Sequence, residues 1–88
     1  MKQYKRRDNI LAEPLQEHLV MLDIDMGKYF SLNQVATRIW ELLGKPKTSE
    51  ELCQNLIDEF EVDEDLCKRE VEEYLNQMLK LKLISVVS

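Results

Sequence analysis

The stretch from Asp25 to Leu43, DMGKYFSLNQVATRIWELL, constrains the fold more than any other part of the chain. Gly27 supplies the backbone freedom that a tight connection needs. Residues 28–32 then alternate as a strand does, with Phe30 and Leu32 on one face and Tyr29 and Ser31 on the other. Asn33 is a good helix N-cap. Beyond it Val35, Ile39, Trp40, Leu42 and Leu43 form an apolar stripe, with Ala36 allowing close approach. Gly44 ends that helix and Pro46 prevents its continuation. A strand that runs straight into an amphipathic helix cannot bury either apolar face alone, so the rest of the chain must complete both layers.

The flanking sequence supplies them. Residues 10–13 read as a first strand, ended by Pro14, which cannot donate to a ladder. Residues 18–24 read as a second, with Val20, Leu22 and Ile24 alternating with Leu19, Met21 and Asp23. Downstream, Thr48 with Glu51 forms a capping box that opens a second helix, on which Leu52, Leu56 and Phe60 recur beside Cys53 and Ile57. Asp63 caps a third, with Val62 placed to staple against Cys67. Its core face is Cys67, Val71, Tyr74, Leu75 and Met78. The closing LISVV adds a short extended piece. Residues 1–7 show no apolar periodicity and read as a flexible basic arm; residues 8–88 form one domain. The expected class is α+β, a three-stranded antiparallel sheet followed by three helices. The short connections suggest a helix-turn-helix-like arrangement of the last two.

Composition narrows function. At 88 residues there is little room for an enclosed active-site cavity. Cys53 and Cys67 are too few for a disulfide scaffold or a zinc site, and buried free thiols are expected. His18 is the only histidine. No nucleophile–base or paired-carboxylate spacing appears, so neither an enzyme nor a cofactor or metal is expected. No apolar run approaches membrane-spanning length and no signal h-region follows the basic start, which points to the cytoplasm. Residues 2–7 carry Lys2, Lys5, Arg6 and Arg7 without a negative, whereas residues 48–73 carry eleven acids against Lys68 and Arg69.

With these elements placed, DMGKYFSLN, ATRIWELL, PKTSEEL and EYLNQMLKLKLI together resemble the PqqD-like family, over roughly residues 8 to 86. Leu32-Asn33, Ala36, Ile39, Trp40, Thr48 and Glu51-Leu52 carry the most specific part. The resemblance implies a winged helix-turn-helix that binds the leader segment of a ribosomally made precursor peptide. The leader would add a strand to the free edge of the third strand, with the third helix as the groove's other wall. It also implies a handover to a leader peptidase, as in free-standing members of lasso-peptide pathways, or to a radical-SAM or other modifying enzyme. The site residues implied are Lys28, Tyr29, Phe30, Ser31, Leu32, Leu66, Arg69, Glu70, Glu73, Tyr74 and Gln77. One departure stands out: the family usually carries Gly before the final Leu-Leu or Leu-Ile pair, and Lys82 occupies that place here, so the third helix is open to ending differently.

Physics suits strand addition. A bare edge strand is a row of unpaired donors and acceptors, and residues 28–32 carry one charge to protect it. Leu66 could receive an apolar side chain and Arg69 a carboxylate. Bland alternatives exist: Trp40 and Tyr74 as core, Tyr29 as a cover for the sheet, and Arg69 with Glu73 as an exposed ion pair. Three other functions compete. A DNA-binding winged helix is opposed by six acids over residues 63–80 against Lys68, Arg69 and Lys80, a surface that repels phosphates, so no nucleic acid is expected. A small enzyme lacks a constellation. A pure adaptor could dock a protein through the acidic second helix or the basic arm.

Overall fold

Hydrophobic alternation in the first third of the chain produces two hairpin-linked turns of sheet, and capped amphipathic segments produce the helices behind it. The computed structural model describes residues 2–15, 18–25 and 27–87. The elements are β1 (Gln3–Arg6), β2 (Ile10–Leu15), β3 (His18–Asp23), β4 (Lys28–Leu32), α1 (Gln34–Leu42), α2 (Ser49–Phe60), α3 (Glu64–Lys80) and β5 (Ile84–Val87). β2, β3 and β4 form an antiparallel sheet in that order, and β1 pairs with β5 in a second, two-stranded sheet. The α+β class, with its three-stranded sheet and three helices, is as expected.

Register sorts the residues of the larger sheet. Ala12 lies opposite Met21, which lies opposite Phe30; Leu11 lies opposite Leu22, which lies opposite Tyr29. Met21 is fully buried, so the first row faces the helices. The second row faces away from them. Leu19, Met21 and Leu32 join Ile39, Leu43, Leu52, Val71, Leu75, Leu83 and Ile84 in the core. Each such large side chain contributes roughly 1.5–3 kcal/mol on burial.

The helices begin where their caps sit. Asn33 Oδ1 accepts from the Ala36 amide at 2.9 Å. Thr48 and Glu51 bond reciprocally at 3.2 and 2.9 Å. Asp63 accepts from Leu66 at 3.2 Å. Each cap is worth about 1 kcal/mol. The end of α3 closes through two bonds, Lys82 N–H to Leu79 O at 3.1 Å and Leu83 N–H to Met78 O at 2.9 Å. That is a Schellman closure, with Lys82 in the left-handed region at φ 62°. Lysine thus takes the backbone shape that glycine favours.

Three expectations are corrected. The loose arm is, over Gln3–Arg6, a strand. Tyr4 is 5% exposed within the core, and its backbone bonds Lys47 in both directions at 2.7 and 3.1 Å. Arg6 lies 4.9 Å above the Trp40 ring and donates from Nε to the Trp40 carbonyl at 2.7 Å. Alternation within four residues was too short to register as a period. Next, β2 continues past Glu13 through Pro14, which is tolerated because β2 is an edge strand. Last, β3 stops at Asp23, and Ile24 is exposed in the turn. There the buried Asp23 accepts from Asn9 at 3.0 Å and from the Asp25 amide at 3.1 Å, which bends the chain out of the ladder. Met1 of the expected arm, Met26 of the turn and Ser88 of the domain lie outside the described residues.

Candidate functional site

β4 is the outermost strand of its sheet: β3 pairs along one side of it, and among the described residues no strand pairs along the other. Gly27, at φ 65°, turns the chain into it, and its amide donates to the Asp23 carbonyl at 2.8 Å. Asn33 ends it by capping α1. The strand therefore offers a short, fixed row of outward backbone donors and acceptors. Phe30 is half-buried and Leu32 is buried on its inner face; Lys28, Tyr29 and Ser31 are exposed.

Beside the C-terminal end of this edge lies a groove of about 140 Å³, lined by Ser31, Leu32, Asn33, Ala36, Tyr74, Gln77, Met78, Leu81 and Leu83. Its floor is apolar and its two walls are β4 and α3. Asn33 ties them: while its Oδ1 caps α1, its Nδ2 donates to the Tyr74 hydroxyl at 2.9 Å. Four of the expected site residues, Ser31, Leu32, Tyr74 and Gln77, thus share one groove.

The remaining site residues on α3 divide by helical phase. Leu66 and Glu70 precede Tyr74 at steps of four, so they lie on the same flank of α3. They line a second, narrower apolar cleft with Val35, Leu56, Phe60, Val62, Cys67 and Val71. Leu66 is 41% exposed there. Arg69 and Glu73 lie one flank away. With Lys68, Glu72, Asn76, Gln77 and Lys80 they line a shallow open surface. They form no salt bridge with each other; on α3 the bridge runs from Lys68 to Glu64 at 3.6 Å. Among the described residues only Gln77 reaches both the groove and this outer surface. Trp40 is core, at 4% exposure, and Tyr74 is half-buried with its hydroxyl at the rim.

Sequence reasoning missed Asn33, Ala36, Met78, Leu81 and Leu83 as groove residues. Asn33 was legible as a cap, and a cap at a strand–helix junction necessarily sits at the strand's open end. Leu81 follows Arg69, Glu73 and Gln77 at steps of four, an apolar residue ending a polar flank, which is a signal that could have found it.

The thiols do not add a nucleophile. Both are buried and free, and Cys67 Sγ lies 3.9 Å from the Cys53 carbonyl oxygen. Burial, then the neighbouring Cys67, pushes the Cys53 thiol up to about 11; burial also raises Cys67. Such groups stay protonated near neutrality. The arrangement suits binding an extended chain: a polar backbone edge for hydrogen bonds, flanked by apolar clefts that could take side chains. Among the described residues, no helix is long and apolar enough to cross a membrane.

The profile of the family described as coenzyme PQQ synthesis protein D, PqqD, matches residues 18–84. Among solved structures, TbiB1 in complex with the TbiA(beta) leader peptide is similar, with 29% identity and a TM-score of 0.82; 92% of this chain and 94% of that chain are covered. Lasso peptide synthetase B1 complexed with the leader peptide has the same fold, at 23% identity and a TM-score of 0.79, with 93% and 96% covered. No curated protein matches significantly.

Proposed function

The chain belongs to the PqqD family, and we propose that it binds the leader segment of a ribosomally made precursor peptide by strand addition to β4. The observation that carries this is the unpaired outer edge of β4 beside the groove against α3. Strand addition satisfies the exposed backbone groups, while the flanking clefts read side chains. The relative at 29% identity, TbiB1, was solved with a leader peptide. On the same reading Lys28, Tyr29, Phe30, Ser31 and Leu32 supply the strand side of the site. Tyr74 and Gln77 form the facing wall, and Leu66 with Glu70 takes a side chain further along the flank. Arg69 and Glu73 act at most at its outer rim, since they lie on the next flank.

The bound leader is then handed to a separate processing enzyme, in this reading the leader peptidase of a lasso-peptide pathway. That step rests on the resemblance to free-standing members, and this chain's own role in it is binding rather than catalysis. A DNA-binding role is opposed by α3, whose exposed positions carry Glu64, Asp65, Glu70, Glu72 and Glu73. The test is an amide NMR titration of the chain with the leader of the precursor encoded nearest to it. Saturable shifts confined to β4, the Leu66–Glu70–Tyr74 flank and Gln77 are expected. Shifts that avoid β4 would overturn strand addition. Firm association with the peptidase but no response to the leader would make the chain an adaptor.

A further inference from the structure

The face of the sheet that points away from the helices carries an apolar row that runs to the open edge. Leu11, Leu22 and Tyr29 lie directly opposite one another across β2, β3 and β4. Leu11 is 56% exposed and Tyr29 is 74% exposed, with Leu22 half-buried between them. Among the described residues no helix covers this row. The parallel row Glu13, Val20, Ser31 is mixed in character and ends at the edge in a small hydroxyl. The two rows therefore make different demands on whatever lies beyond β4.

We propose that Tyr29 is a specificity-determining residue that selects an apolar or aromatic side chain at one position of the bound peptide, the position directly opposite it. The inference rests on strand addition to β4. Given that addition, geometry fixes the rest. Directly opposite residues in a sheet share a face and bring their Cβ atoms to about 5 Å. The peptide residue opposite Tyr29 must then point to the outer face, away from the groove, and become the fourth member of the row. An apolar or aromatic side chain there removes the free side of the Tyr29 ring from water and extends the stack. A charged one leaves the ring exposed and is itself held against an apolar strip. The outward residue opposite Ser31, two positions along, meets no such strip and is free to be polar. The residue between them points inward, beside Phe30. Recognition is thus two-sided, with the inner clefts reading one set of alternate residues and Tyr29 reading the other. The row ends at the β4 edge, and that continuity makes the added strand, rather than a second protein surface, its occupant.

The probe is a random dodecapeptide library displayed on phage, panned separately against the chain and against its Tyr29→Lys variant. The side chain is largely exposed, so the variant folds. Register is fixed for the selected peptides by amide NMR and cross-strand contacts at residues 28–32. Peptides selected by the chain are expected to carry Phe, Tyr, Trp, Leu, Ile or Val opposite residue 29. Those selected by Tyr29→Lys are expected to carry Asp or Glu there, with unchanged inward residues. Exchanging the two residue types in one peptide should change affinity about two- to fivefold in opposite directions for the two proteins. Peptides that bind at the β4 edge with the same choice opposite residue 29 in both proteins overturn the specificity role but leave strand addition standing. Selected peptides that never touch β4 overturn strand addition, and this inference with it.

Discussion

Lys82 holds a backbone conformation that a lysine pays for. At φ 62° its Cβ crowds the following carbonyl, at a cost of about 1 kcal/mol or more. It is held there because its own amide and that of Leu83 close the last turn of α3, and Leu83 is fully buried just beyond. Lys82→Gly should therefore raise stability by about 0.5–1 kcal/mol, seen as a higher urea midpoint at unchanged slope. A lower midpoint would mean that the lysine side chain contributes something its backbone strain conceals. The place of this residue was legible in the sequence as a departure from a glycine pattern. Its consequence was not, because only the folded chain shows that the left-handed turn forms with lysine there. Cys53 makes the second residue-scale prediction. With its thiol pushed up to about 11 from an ordinary 9.0, the folded state disfavours the thiolate that the unfolded chain forms freely. The stability this reflects is full below pH 9 and declines as pH rises toward 11. The urea midpoint of Cys53→Ala, although lower at neutral pH, should fall less steeply over that interval. Neither thiol should react with a thiol reagent at pH 8 until the chain unfolds.

At the scale of elements, the helices were legible because each begins with its own chemical signal: Asn33, Thr48 and Asp63 all cap as their side chains suggest. The three strands of the larger sheet were legible from alternation, with ends misplaced by Pro14 and Ile24. The two walls of the groove were legible separately, but their meeting was not. Which flank of α3 faces β4 depends on the crossing of two helices and a sheet, so Arg69 and Glu73 were grouped with residues that lie one flank away. The edge itself yields a prediction. Amides of β4 that bond β3 should exchange slowly with deuterium, whereas those aimed outward should exchange fast, because water is their partner. Leader binding should slow the outward set selectively and leave the β3-directed set little changed. Uniform slowing along the whole strand would instead signal global stabilisation without strand addition, as mass action on any bound state produces.

At the scale of the whole molecule, the N-terminal strand ties the two ends of the chain into one core. β1 pairs with β5 by the register Tyr4 to Val86 and Arg6 to Ile84, and on its other side Tyr4 bridges Lys47 before α2. Arg6 reaches the carbonyls of Trp40 and Glu41 at the end of α1, where a cation also suits the helix dipole. Four lysine and arginine residues within the first seven disguised this strand as a solvated tail; Tyr4, 5% exposed, was the one apolar residue that could have betrayed it. Lys5 and Arg6 are consequently held in a paired strand, and not on a swinging arm. Tyr4→Ala empties a core site and should lower stability by about 3–5 kcal/mol, as aromatic truncations in cores do. For a domain of this size that is a large part of the total, so the thermal midpoint should fall by well over 10 °C. Tyr4→Phe should recover nearly all of it, since the ring rather than the hydroxyl fills the site. The β4 edge is formed by other strands, so any Tyr4→Ala molecules that remain folded at low temperature should still bind leader with near-normal affinity. A chain that lost leader binding while keeping its fold would place β1 in the recognition surface.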